Sequence, residues 1–156
     1  MSDDKKFLSK AIEIAASGIN SGGGPFGAVI SKEGSIIAGS NNRVVLNTDP
    51  TAHAEILAIR EAASFLKTHD LDGCVLYSSC EPCPMCLGAI YWSGIKRVVY
   101  TSGRQDAAAA GFDDELIYNE ISLDPSKRQV TFLQMEDHEA KEVFRKWEEY
   151  DGKTIY

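Results

Sequence analysis

The feature that most restricts this chain is a pair of short motifs: His53-Ala54-Glu55 and, twenty-seven residues after Glu55, Pro82-Cys83-Pro84-Met85-Cys86. Together they supply an imidazole, two thiolates and one carboxylate left over. A structural zinc site closes with four protein ligands, whereas a catalytic one uses three and keeps the fourth place for water. The inventory is of the second kind. It also dictates architecture, since the two cysteines must share one rigid turn while a separate element carries the histidine to them.

Composition points the same way. The chain has 156 residues, enough for one domain that buries about 70% of its unfolded surface. Its formal net charge of -7 argues against an extended nucleic-acid footprint, because phosphate binding needs a clustered Lys/Arg face. A small neutral substrate suits it better. Met1 to Lys10 is polar and charged with no apolar leader core, and no run approaches the roughly 18 apolar residues of a membrane span, so a cytoplasmic location is expected. Of the four cysteines, three fall at 80, 83 and 86, a spacing that suits a metal better than a disulfide framework.

Hydrophobic periodicity organises the chain into alternating helices and strands. Ser2-Asp3-Asp4 opens a helix whose apolar residues Phe7, Leu8, Ala11, Ile12, Ala15 and Ile19 recur at three and four, and Asn20-Ser21-Gly22-Gly23 ends it. Phe26 to Ser31 and Ser35 to Ser40 read as strands joined at the hairpin turn Lys32-Glu33-Gly34. Asp49-Pro50, a capping residue followed by proline, predicts the next helix, with Ile56, Ile59 and Ala63 inward and His53 and Glu55 in its opening turns. A strand at Val75 to Ser78, a helix from Pro82 to about Trp92 and a strand at Val98 to Thr101 follow. Two helical stretches, a strand at Val130 to Leu133 and a helix from Glu136 to Tyr150 complete the pattern. The alternation implies an α/β fold with a sheet covered on both faces. Gly22 to Gly27 fits G-x-G-x-x-G, but it leaves a helix and enters a strand, the reverse of dinucleotide-binding order, so it reads as a loop of close backbone approach.

At the site, Cys83 and Cys86 project from one face of a first helical turn, where unsatisfied N-H groups favour thiolates. His53 arrives from another helix as the third ligand. Two thiolates and a neutral imidazole balance Zn2+, and a water in the fourth position would have its pKa lowered from about 15.7 toward 7. Glu55 lies off the ligand face and suits proton transfer beside that water. Other readings stay open. Cys80 could close a Cys3His structural site, or the C-x2-C-x2-C run could hold an iron-sulfur cluster, although both leave Glu55 without a role. Cys74 reads as a buried hydrophobe, and neither His69 nor His138 has a second ligand nearby.

Gly24-Pro25-Phe26-Gly27-Ala28-Val29-Ile30, Asp49-Pro50-Thr51-Ala52-His53-Ala54-Glu55, Ser79-Cys80-Glu81-Pro82-Cys83-Pro84-Met85-Cys86 and Ala110-Gly111-Phe112-Asp113-Asp114 resemble the cytidine deaminase superfamily, over essentially the whole chain. The zinc motifs are those of zinc-dependent base deaminases in general. The Ala-Gly-Phe-Asp-Asp segment and Tyr156 resemble more narrowly its bacterial guanine deaminase branch. The resemblance implies a three-layer fold with a five-stranded mixed sheet and helices on both faces. It further implies one zinc per subunit on His53, Cys83 and Cys86, with Glu55 as proton shuttle. It also implies a homodimer whose C-terminal tail, residues 151 to 156, is exchanged so that Tyr156 closes the partner's site.

The base is chosen by hydrogen bonding. Guanine presents N1-H and a 2-amino group to an acceptor, and O6 and N7 to donors. By resemblance Asp114 and Asn42 fill these parts and Tyr156 acts as a lid; Phe26 and Trp92 are candidates to flank the planar ring, and Ala54 is a further candidate contact. The residues themselves also allow a turn pair at Asn41-Asn42, a helix cap at Asp113-Asp114 and core packing for both aromatics. The expected reaction is zinc-dependent hydrolysis of guanine to xanthine and ammonia. The alternatives are another free base or heterocycle such as cytosine or an aminotriazine, a tRNA adenosine deaminase, or a zinc-stabilised module without catalysis.

Overall fold

The computed structural model describes residues 3 to 155, which form two compact units, one reaching to Glu115 and one starting at Leu116. In the first, helix α1 (Asp3–Asn20) precedes strands β1 (Gly27–Lys32) and β2 (Ser35–Asn41), joined by a two-residue turn. Glu33 and Gly34 both adopt positive φ, 50° and 77°, the geometry that lets a tight hairpin follow the strand twist. A short helix α2 (Val44–Asn47) then leads to α3 (Ala54–Leu66), β3 (Cys74–Cys80), α4 (Pro84–Trp92), β4 (Arg97–Ser102) and α5 (Arg104–Ala109).

The sheet runs β2-β1-β3-β4, antiparallel at its first two pairings and parallel at the third. Side chains alternate across it. Ala28, Ile30 and Leu76 point to one face and pack with Ala54, Ala58 and Ala62 of α3 and Ile90 of α4. Val29 and Tyr77 point to the other, against Phe7 and Ala11 of α1. The mixed sheet with helices on both faces is therefore as expected. Gly27 explains the glycine run: a Cβ there would stand 2.3 Å from the Ala11 carbonyl, so α1 lies on β1 only because nothing projects between them.

Three expectations need correction. The sheet has four strands among the described residues, not five. Residues 130 to 133 form no ladder, and Val130, Phe132 and Leu133 are exposed, the last at 82%. Their strand-like composition supplies only half of a pairing. The helix expected from Asp49 begins at Ala54, because Asp49 Oδ1 accepts hydrogen bonds from Thr51 N at 2.8 Å and Thr51 Oγ1 at 2.7 Å and so closes a local turn. Likewise α4 begins at Pro84 rather than Pro82, with Cys83 as the residue capping it.

In the second unit, helix α6 (Glu115–Ile121) runs in from the last residue of the first. A 3-10 turn (Pro125–Lys127) and helix α7 (His138–Glu149), capped by the Asp137 side chain, follow. None of these elements has a buried residue. Among the described residues no helix is long and apolar enough to cross a membrane.

Candidate active site

Two helix beginnings form the site. His53 caps α3 and Cys83 caps α4, both with extended backbone and neither with a side-chain cap hydrogen bond. Their side chains are engaged with each other instead. His53 Nδ1 lies 3.5 Å from Cys83 Sγ and 3.5 Å from Cys86 Sγ, and the three donor atoms all fall within 4.8 Å of one another. A tetrahedral zinc with Zn-S near 2.3 Å and Zn-N near 2.05 Å requires N···S edges of about 3.5 Å. The donor set and its spacing therefore fit zinc. Cys80 stands outside it, at the end of β3, with Sγ 3.7 Å from the Gly103 carbonyl. That removes the basis for a four-ligand structural site or a cluster on three cysteines.

Hydrogen bonds among the three donors govern their protonation. The hydrogen bond from Cys86, then that with His53, lowers the Cys83 thiol to about 4, while Cys86, sharing its proton with Cys83 and buried, is pushed up. His53 is raised mainly through its hydrogen bond to Cys83. Metal loading must expel these protons, so affinity rises with pH.

Glu55, in the first turn of α3, is 5% exposed, and burial raises its carboxyl above the usual range. Its Oε1 accepts from Ser78 Oγ at 3.1 Å, and its Oε2 accepts from Cys86 Sγ at 3.5 Å. The carboxylate thus stands beside the ligand trio and outside it. Sequence reasoning misses Ser78, whose signal is the hydroxyl pair Ser78-Ser79 near the end of β3.

The remaining expected residues divide. Asn42 N bonds to the Phe26 carbonyl at 2.9 Å and Arg43 N to that of Ala52 at 2.9 Å, which brings Phe26, Asn42 and the His53-Ala54-Glu55 turn to one end of the sheet. Asn42 is buried and its Oδ1 accepts from Val44 N at 3.3 Å, so its NH2 is the end presented onward. Phe26 packs edge-on against Phe112 with centroids 4.9 Å apart. Ala54 is fully buried. Trp92, by contrast, is 70% exposed at the far end of α4, about 9 Å of helix rise from Cys86. Asp114 is paired with Arg104 at 3.1 Å and lines a cleft of about 560 Å³ with Glu81, Asp106 and Asp113, none of them a zinc-site residue. Tyr156 lies outside the described residues.

Residues 1–102 match the family model for the cytidine and deoxycytidylate deaminase zinc-binding region. The chain is 50% identical to the guanine deaminase of Bacillus subtilis (strain 168) over 151 residues, 96% of this chain and 97% of that one. The X-ray structure of guanine deaminase from Bacillus subtilis superposes with a TM-score of 0.95, covering 97% of this chain and 98% of the other. The structure of NE0047 in complex with 2,6-diaminopurine is 40% identical, with a TM-score of 0.68 over 71% of this chain and 62% of that one. The tRNA-specific adenosine deaminase of Aquifex aeolicus (strain VF5) is 46% identical over 96 residues, 62% of this chain and 64% of that protein.

Proposed function

This chain belongs to the cytidine and deoxycytidylate deaminase zinc-binding family, and from that premise we propose that it is a zinc-dependent guanine deaminase, hydrolysing guanine to xanthine and ammonia. The observation that carries the reading is a three-donor site with tetrahedral N···S edges beside a buried carboxylate that is not a ligand. Similarity over the full length to a guanine deaminase narrows the base.

His53, Cys83 and Cys86 would hold the zinc, which when bound would supply acidification of a water molecule as the nucleophile for C2 of the purine. Glu55 accepts one proton of the attacking water and delivers it to a ring nitrogen, then takes the second from the new C2 hydroxyl and passes it to the departing amine, so that water and guanine become xanthine and ammonia. Its buried position suits both directions of transfer, since burial raises its carboxyl toward the working pH. Asn42 donates to O6 or N7, Phe26 packs against the ring, and Ala54 adds a contact at the start of α3. Asp114 accepts from the edge bearing N1-H, and Trp92 and Tyr156 complete the enclosure.

A second copy of the chain completes this reading. Asp114 opens on a cleft separate from the zinc trio, and the second unit carries Phe132, Leu133, Val143 and Phe144 exposed. The exposed apolar residues support a homodimer in which the C-terminal tail, residues 151 to 156, is exchanged so that Tyr156 closes the partner's site. The test is ammonia release by zinc-loaded protein from guanine, cytosine, an aminotriazine and adenosine in tRNA. Guanine is expected to lead. Equal or better turnover of another substrate overturns the choice of base, and a Glu55→Gln variant with full turnover overturns the role of Glu55.

A further inference from the structure

We propose that Ser78 is a positioning residue for the reaction: its hydroxyl fixes the rotation of the Glu55 carboxylate so that Oε2, and not Oε1, faces the zinc ligands. The inference rests on the reading of Glu55 as proton carrier and adds the residue that aims it.

The geometry is specific. Ser78 sits in β3, an inner strand, paired with Ala28 on one side and Tyr100 on the other, and it is 1% exposed. Its backbone has no freedom to follow a moving partner. By strand alternation its side chain shares the face of Leu76, toward α3, while that of Ser79 turns the other way and accepts from Gly27 N at 3.0 Å. The Ser78 hydroxyl donates to Glu55 Oε1 at 3.1 Å, and the second oxygen is left 3.5 Å from Cys86 Sγ. These are the side-chain hydrogen bonds made by this carboxylate among the described residues. The backbone N-H of Glu55 also donates to its carboxylate, but from the same helical turn, so Ser78 is the donor that ties Oε1 to the sheet. A buried carboxylate oxygen deprived of that donor rotates to find another, and the rotation turns Oε2 away from the place where the proton is released. The hydroxyl touches neither the substrate nor the metal in this scheme and acts only through Glu55.

Ser78→Ala tests this in zinc-loaded protein. Loss of an outer hydrogen bond to a group at a metal centre costs on the order of tenfold to a hundredfold. That fall is expected in kcat, with KM for guanine and zinc content within about twofold of the parent. Placed in a Glu55→Gln background and assayed at high enzyme concentration, the same change should cost less than about twofold more, because the group it aims is gone. Ser78→Thr, which keeps the hydroxyl, should restore most of kcat and serves if Ser78→Ala fails to fold. An unchanged kcat in Ser78→Ala, a rise in KM or loss of zinc as the main effect, or an equal loss in Ser78→Thr overturns the proposal. Full repetition of the loss in the Glu55→Gln background overturns it too. If Glu55→Gln alone is fully active, the underlying reading of Glu55 falls with it, which separates the two failures.

Discussion

The two compact units contrast in what they bury. The first encloses Glu55, Ser78, Cys86 and a core on both faces of its sheet, whereas no helix of the second has a buried residue and Leu133, Val143 and Phe144 face outward. Bond-making groups need a fixed, dry setting, because low local dielectric strengthens hydrogen bonds and shifts carboxyl and thiol titration. Groups that close a site against solvent work from the periphery. The contrast teaches where order is needed: His53, Glu55, Ser78, Cys83 and Cys86 all fall in the first unit, while the second presents the apolar surface on which the proposed assembly depends.

The comparison can be broken at four points. Cys83→Ser removes one of three zinc donors and is expected to abolish both metal retention and ammonia release, while Cys80→Ser retains both. Zinc content after dialysis decides, and a zinc-replete Cys83→Ser protein would show that the trio is not the site. Next in size, Asp114→Ala should lower kcat/KM for guanine by about tenfold to a hundredfold, the worth of a hydrogen bond to a charged group, with zinc undisturbed. An unaffected variant would show that Asp114 and its cleft take no part in recognition. Phe144→Ser, at an exposed apolar position of α7, is expected to weaken self-association, read by sedimentation velocity across a dilution series. A wild-type chain that is already monomeric at micromolar concentration would defeat the exchanged dimer.

The smallest effect lies far from the site. Asp4 accepts from Arg97 at 2.9 and 2.8 Å and from the Tyr77 hydroxyl at 2.8 Å, tying α1 to β3 and β4. The Arg97 guanidinium, aided by Tyr77, holds the Asp4 carboxyl below its usual range. The folded state then binds fewer protons than the unfolded one around that pKa, so the contribution is present at neutral pH and lost as pH falls through the folded value. Asp4→Asn should lower Tm slightly at pH 7, with the gap to wild type closing below about pH 4. A gap that widened toward acid would reverse this assignment.

Much of the first unit was legible because its signals are local. The period of three and four in α1 and the hairpin at Glu33-Gly34 appeared where they were read. The start of α3 did not, since Asp49 satisfies the rule for a helix cap equally well by closing a turn on Thr51. His53 then caps α3 with its backbone alone, its ring being turned to two sulfurs. The strand expected at 130 to 133 shows the opposite limit: alternating apolar residues state a preference, but a strand exists only once another segment supplies its hydrogen bonds.

By itself the sequence determined the donor set and thus the chemistry. Two cysteines three apart at a helix start share a face whatever the rest of the chain does, and a histidine with a spare carboxylate two residues on leaves little else for them to be. Tertiary structure decided which groups serve and which only neighbour them. Cys80 is turned to the Gly103 carbonyl, and Glu55 is aimed by a hydroxyl twenty-three residues away. Those outcomes hang on β3 pairing with β1 at Ala28 and Ser78 and with β4 at Cys80 and Ser102. Such contacts are set by packing across the sheet, which no local spacing encodes.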